Sequence, residues 1–117
     1  MSEVSCIFCK IIQMTVPAKR ILETDLTLVI ADIHPRAPVH YLVLPKKHIE
    51  HMGYIQQSDL DILADMAYVV QQLSLSLAQP AAFNVMVNNG AGAGQVVPHL
   101  HWHFLAGKNI YSSDFQL

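Results

Sequence analysis

The sequence predicts an α+β domain: a mostly antiparallel sheet with a short N-terminal helix and one long helix. Three observations point there. Apolar residues recur at helical spacing in two stretches, near 5–14 and 59–78. The other apolar segments are short, rich in β-formers and bounded by turn residues. Three of those segments precede the long helix in succession, which favours antiparallel pairing over alternating βαβ units.

The elements follow in chain order. "SCIFCKIIQM" (5–14) has apolar residues at 7, 8, 11 and 12, a short amphipathic helix that Pro17 closes. "KRILET" (19–24) and "LTLVIAD" (26–32) flank Asp25 as a strand hairpin. "HPRAP" (34–38) is a proline-punctuated loop, and "VHYLVLP" (39–45) is a strand that stops at Pro45. Ser58 and Asp61 have capping-box spacing, and Asp59 and Asp61 complement the positive end of a helix running to about Ala78. That helix has two apolar stripes: Leu60, Leu63, Ala67, Val70 and Leu77, then Ile62, Met66, Val69 and Leu73. One stripe suffices to cover a sheet. The second implies either a wide core-facing helix or burial against another subunit. "AFNVMVNN" (82–89) is a strand, "GAGAG" (90–94) a flexible loop, and "HLHWHFLA" (99–106) the last strand.

A chain of 117 residues, 52% hydrophobic and 14% charged, fits a single domain over 1–117 with ample core material. The net charge of −2 argues against a general nucleic-acid or membrane-surface binder, since either needs a basic field. No apolar run is long enough to span a bilayer and no secretory signal is evident, so a cytoplasmic setting is expected. Cys6 and Cys9 are too close to staple a fold. "CIFC" reads as a metal half-site or a redox pair.

"VPHLHWHFLAG" (97–107) carries the chemistry. On a strand, His99, His101 and His103 share one face at steps of about 6.6 Å, and Leu100, Trp102 and Phe104 take the other. Three imidazoles on one face suit either a single catalytic metal or a nucleophile held in its tautomer by its neighbours. Gly90, Gly92 and Gly94 let backbone N–H groups approach an anion without Cβ interference. No Gly-Lys-Ser/Thr ending follows, so this is not a Walker loop. Placed before three histidines, it suggests a phosphate beside imidazole.

These residues resemble the histidine-triad (HIT) family. "IFCKII" with Pro17, "ADIHPRAPVHYLVLPKKHI" (31–49), "VNNGAGAGQ" (87–95) and "HLHWHFLAG" occur in the family's order and spacing, over nearly the whole chain. The chain is most similar to the Hint branch of nucleotide phosphoramidases. The resemblance implies a HIT-like fold and a purine nucleotide-binding hydrolase. His101 would attack the α-phosphorus of an adenosine 5′-phosphoramidate, form a covalent nucleotidyl-histidine and release AMP. A backbone carbonyl of the same strand would fix the His101 tautomer, His103 would contact phosphate oxygens, and His40 would support them. Asp32 matches the ribose-binding carboxylate. Val16, Ile30, Ile33 and Leu42 match the base-binding wall, and Asn88 and Gln95 match polar residues near ribose and phosphate. Gly94 and Val96 complete that nucleotide site.

The resemblance also implies zinc. In its zinc-carrying members, Cys6, Cys9, His48 and His99 would hold one structural ion, and catalysis would need no metal. A homodimer is implied as well. Two positions depart from the family's habit: Val96 stands where relatives often have serine, and Pro98 where they often have an aromatic residue. The tail "KNIYSSDFQL" shows little of the usual ending. Three other readings stay open: a zinc hydrolase with all three histidines on one catalytic metal, a dinucleoside polyphosphate hydrolase, and a nucleotide-binding regulatory dimer with incidental hydrolysis.

Overall fold

A computed structural model describes residues 5–111, so residues 112–117 of the tail lie outside the described part. Five strands form one antiparallel sheet in the order β1-β2-β3-β5-β4: β1 (Arg20–Glu23), β2 (Thr27–Ala31), β3 (Val39–Pro45), β4 (Phe83–Met86) and β5 (Trp102–Ala106). Helix α1 (Ile7–Ile12) covers one face and α2 (Leu60–Ser74) the other. Among the described residues, no helix is long and apolar enough to cross a membrane.

The period-2 rule sorts the core into these two layers. Leu28 and Ile30 of β2, with Leu42 and Leu44 of β3, pack on Phe8 and Ile11 of α1. Val29 and Val43 point the opposite way, onto Met66, Val69 and Leu73 of α2. Strands buried on both faces read as unbroken apolar runs, as "TLVIA" and "YLVL" do.

The helix ends differ from the expected ones. Cys6 is the N-cap of α1, its Sγ accepting from the Cys9 N–H at 3.3 Å. Met14 then takes a left-handed φ of 64°, which ends the helix before Pro17. At α2 the expected Ser58–Asp61 box is replaced by a pair two residues earlier. The Gln56 N–H donates to Asp59 Oδ2 at 3.0 Å, and the Lys47 ammonium donates to Asp59 Oδ1 at 2.5 Å. Asp59 is recruited by a lysine distant in sequence, and a short 3₁₀ turn (Gln57–Asp59) leads into α2.

Helix α2 stops at Ser74, short of Ala78. Leu75 and Ser76 already make tighter bonds to residues three back, and the Ser74 and Ser76 hydroxyls donate to the Gln71 and Leu73 carbonyls. Hydroxyls that bond the preceding turn compete with helix propagation. Leu77 still packs on the core from beyond the helix, and Leu63 and Val70 are half-buried against the same cluster. The sheet thus takes most of both stripes, which is the wide core-facing outcome; Leu60 and Tyr68 stay exposed. Asp65, on the same helix, accepts from the Thr24 and Thr27 hydroxyls at 2.5 and 2.6 Å and ties α2 to the β1–β2 hairpin.

The last two strands are shorter than expected. β4 spans Phe83–Met86 rather than 82–89, because Asn88 and Asn89 turn away to bond the Ala93 carbonyl and the Met52 N–H. β5 begins at Trp102 rather than His99, because the Leu100 N–H donates to the Ile49 carbonyl at 2.6 Å outside the sheet. Pro98 therefore costs no ladder bond. The alternation itself persists through the irregular stretch. Leu100 and Phe104 enter the α2 layer, while the His99 and His101 rings touch Phe8 of α1, with centroids 5.7 and 5.1 Å away.

Candidate active site

A cleft of about 610 Å3 opens between α1, the 16–18 segment, the end of β2 and the glycine loop. Its size suits a small organic ligand. Its floor is apolar, with Ile30 and Leu42 buried beneath. Ile33 and Val96 stand at its mouth, 85% and 89% exposed. Large apolar side chains held in water at a cleft mouth invite a flat apolar ligand between them. Val16, Asp32, Asn88, Gly94, His101 and His103 also line this space.

His101 is 7% exposed, and its Nδ1–H donates to the His99 carbonyl at 2.7 Å. That bond puts the proton on Nδ1 and leaves the Nε2 lone pair available. Burial holds His101 below the ordinary histidine value, partly offset by the bond to the carbonyl and by Asp32. A neutral imidazole with a free Nε2 is a competent nucleophile near pH 7.

A second set of hydrogen bonds fixes His103. The backbone N–H of Arg36 can only donate, and it points at His40 Nδ1, 3.1 Å away. His40 therefore carries its proton on Nε2, which lies 2.9 Å from His103 Nδ1 and 3.3 Å from Asp32 Oδ2. His103 must accept at Nδ1, so its own proton sits on Nε2. Burial is the main reason both rings stay neutral: it lowers His40, and together with neighbouring positive groups it takes His103 down to about 4. Asp32, His40 and His103 also have ligand atoms within 4.8 Å of one another. The protonated His40 Nε2 makes this group a hydrogen-bond relay rather than a metal site.

The glycine loop is more rigid than a flexible connector. Gln95 pins it: the Gly90 N–H donates to Gln95 Oε1 at 2.7 Å, and Gln95 Nε2 donates to the Glu50 and Val97 carbonyls. The Ala93, Gly94 and Gln95 N–H groups bond back into the loop, so most of the expected anion nest is spent internally. Gly94 needs its left-handed φ of 90° to make this turn.

Cys6, Cys9, His48 and His99 come together below the cleft. Their donor atoms all lie within 4.8 Å of one another. Cys6 Sγ is 3.2 Å from His99 Nδ1, and Cys9 Sγ is 3.3 Å from His48 Nδ1. His99 Nε2–H donates to the Pro45 carbonyl at 2.9 Å, which leaves Nδ1 as its ligating nitrogen. Two sulfurs and two oriented imidazoles are the donor set of a closed tetrahedral zinc site, with an outer hydrogen bond of the usual kind. A bound zinc would tie α1 to the sheet through these four residues.

The three triad histidines do not converge. His99 faces the sulfurs, His101 the cleft, and His103 the relay with His40. One catalytic metal on all three is excluded by that divergence. His40 sits behind the cleft rather than in it, and Gln95 is engaged in the loop. The His99 carbonyl is the same-strand acceptor that the resemblance implies, whereas the Arg36 N–H, the Pro45 carbonyl and Phe8 are orienting groups the sequence does not reveal. Backbone donors and acceptors have no letter in a sequence; Phe8 was read only as helix core.

Comparison with known proteins agrees with this architecture. The model of the HIT domain matches residues 13–110. The chain is 41% identical over 101 residues to an uncharacterized HIT-like protein of Chlamydia trachomatis, covering 86% of this chain and 91% of that one. A HIT family hydrolase from Clostridium thermocellum superposes with a TM-score of 0.86 at 35% identity, over 95% and 97% of the two chains. A zinc-bound histidine triad family protein from Mycobacterium smegmatis gives 0.79 at 32% identity, over 93% and 79%. By family match, relatives and a histidine triad on the α1 side of the sheet, this chain belongs to the HIT domain family.

Proposed function

We propose that the protein is a purine nucleotide-binding hydrolase of adenosine 5′-phosphoramidate-type substrates, acting through a covalent nucleotidyl-histidine and releasing AMP. The observation that carries it is the 2.7 Å bond from His101 Nδ1 to the His99 carbonyl, which leaves Nε2 as a lone-pair nucleophile in the cleft. The likeness to a HIT family hydrolase from Clostridium thermocellum supports the reaction class. In this reading Val16, Ile30, Ile33 and Leu42 wall the base, Val96 stands toward the phosphate, and Asp32 accepts from the ribose hydroxyls. Asp32 keeps capacity for them: one oxygen takes the His34 N–H at 2.8 Å, and a carboxylate has about four acceptor sites.

The chemistry balances as two displacements at phosphorus. His101 Nε2 forms a bond to phosphorus as the phosphorus–nitrogen bond of the substrate breaks, and the amine takes up a proton from solvent. Water then adds its hydroxyl to phosphorus, the Nε2 bond breaks, and a proton returns to solvent. His103 Nε2–H donates to the phosphoryl oxygens as charge builds there. Zinc on Cys6, Cys9, His48 and His99 supplies a structural tether when bound, and no chemical step needs it. A second copy of the chain is the proposed partner: among the described residues β4 is an edge strand, and its Phe83, Val85 and Met86 are 38–42% exposed. Light scattering at micromolar concentration should give a homodimer.

The test is His101→Asn. Turnover of an adenosine phosphoramidate should fall by several orders of magnitude while AMP affinity, read by calorimetry, stays within a few fold. Acid-quenched wild-type protein should carry one adenylyl group, seen by mass spectrometry, and the variant none. Near-normal turnover in His101→Asn would overturn the covalent mechanism.

A further inference from the structure

A second, smaller cavity of about 380 Å3 lies behind His103. It shares Arg36, Asn88 and His103 with the cleft, but His101 belongs to the cleft alone. A phosphoryl group at His103 would thus have the nucleophile on one side and this cavity beyond. In-line displacement expels the leaving group away from the nucleophile, and the smaller cavity is the adjoining space that His101 does not line.

That cavity is cationic. Arg36 and Lys108 line it, and among the described residues no acidic side chain does. The whole chain carries −2, so this is a local reversal of sign. The Arg36 charge is felt by both His40 and His103, and it helps lower each of them. Lys108 is brought there by a specific turn. Gly107 has a φ of 98°, and a Cβ on it would meet Pro38 at 2.8 Å, so only glycine lets the chain leaving β5 pass this close to the 34–38 loop. The close approach sets Lys108 beside the loop that carries Arg36.

We propose that Arg36 and Lys108 form a leaving-group subsite that selects substrates whose departing group is anionic. The subsite rests on the phosphoramidate reading for its place in the reaction, and its charge preference can be measured apart from turnover. The anion can be the carboxylate of an amino acid joined to phosphorus through its amine, or the phosphates of a polyphosphate leaving group. Both present oxygen anions to a guanidinium and an ammonium.

The experiment compares adenosine 5′-phosphoramidates of alanine and of alaninamide, which differ only in carboxylate against carboxamide. Wild-type kcat/KM should favour the carboxylate by about tenfold, as two partly exposed charge pairs allow, and 0.5 M salt should erode that preference. In Arg36→Gln/Lys108→Gln, which keeps the Arg36 backbone N–H, the ratio should fall to near one. Diadenosine tetraphosphate separates the sources. If the double variant also slows its hydrolysis, the subsite reads any oxygen anion; if not, it reads amino-acid carboxylates. The same pair is titrated by calorimetry into His101→Asn, so the preference is read even without turnover. Failure to turn over any phosphoramidate, with the binding preference intact, would sink the proposed reaction and spare the subsite. Equal affinity and equal kcat/KM for the pair in protein with native Arg36 and Lys108 would overturn the subsite.

Discussion

His99 and His101 are joined by a 2.7 Å hydrogen bond from the His101 ring to the His99 carbonyl, while the His99 ring itself faces Cys6 and Cys9. One residue thus serves two sites. Its side chain belongs to the sulfur cluster under the sheet, and its carbonyl sets the tautomer of the ring in the cleft. Two residues apart is the spacing at which a carbonyl reaches the next imidazole on the same face.

The cluster predicts about one zinc per chain, by the four-ligand count. Cys9→Ala should bind none and melt roughly 10 °C lower, since α1 loses its tether. Elemental analysis of protein purified without chelator, with calorimetric melting, checks both. Metal-free wild-type protein melting at the same temperature as metal-loaded protein would end the structural role.

The Asp65 clamp predicts a stability loss far from the cleft. Asp65→Ala leaves the Thr24 and Thr27 hydroxyls without their acceptor and should cost about 2 kcal/mol, since hydrogen bonds to a charged group are worth more than neutral ones. AMP affinity should not change, because α2 lies on the opposite face from the cleft. Urea melts and a nucleotide titration of the same sample measure the two quantities.

The relay predicts acid sensitivity. His103 is held down to about 4 from 6.5, chiefly by burial, so between those values the unfolded chain binds more protons than the folded one. Stability from His103 is present above pH 6.5 and is lost as pH falls toward 4. Asp32, which raises the ring, and His40, His101 and Arg36, which lower it, are the groups around it. His103→Asn should show a flatter decline in melting temperature from pH 7 to 4 than wild type. The difference between the two curves isolates His103 from the acid-labile sulfur cluster.

Val96 predicts a dependence on leaving group. It is 89% exposed on the glycine loop, so Val96→Ser should leave the melting temperature within a degree or two. A new hydroxyl at the cleft mouth can donate to phosphate or to the departing amine, and one donor at a developing charge is worth up to about 2.7–4 kcal/mol. Rates across a panel of amine leaving groups should spread differently from wild type. An unchanged panel would make Val96 a neutral exchange.

The sequence by itself determined the fold class and the identity of the chemical groups. Alternation in "HLHWHF" assigned each side chain to a face, and the faces stand even where the strand gives way before Trp102. Periodicity survives because it depends on each residue's neighbours along the chain. Tertiary structure decided what each histidine does. His99, His101 and His103 are the same residue type on the same face, and they differ only in what approaches them: sulfurs and the Pro45 carbonyl at His99, the His99 carbonyl and an open cleft at His101, and His40 locked by the Arg36 N–H at His103. Imidazole protons follow the nearest acceptor, and these partners come from segments up to 93 residues away in the chain. The helix ends were decided the same way, since Asp59 became the capping residue when the distant Lys47 reached it.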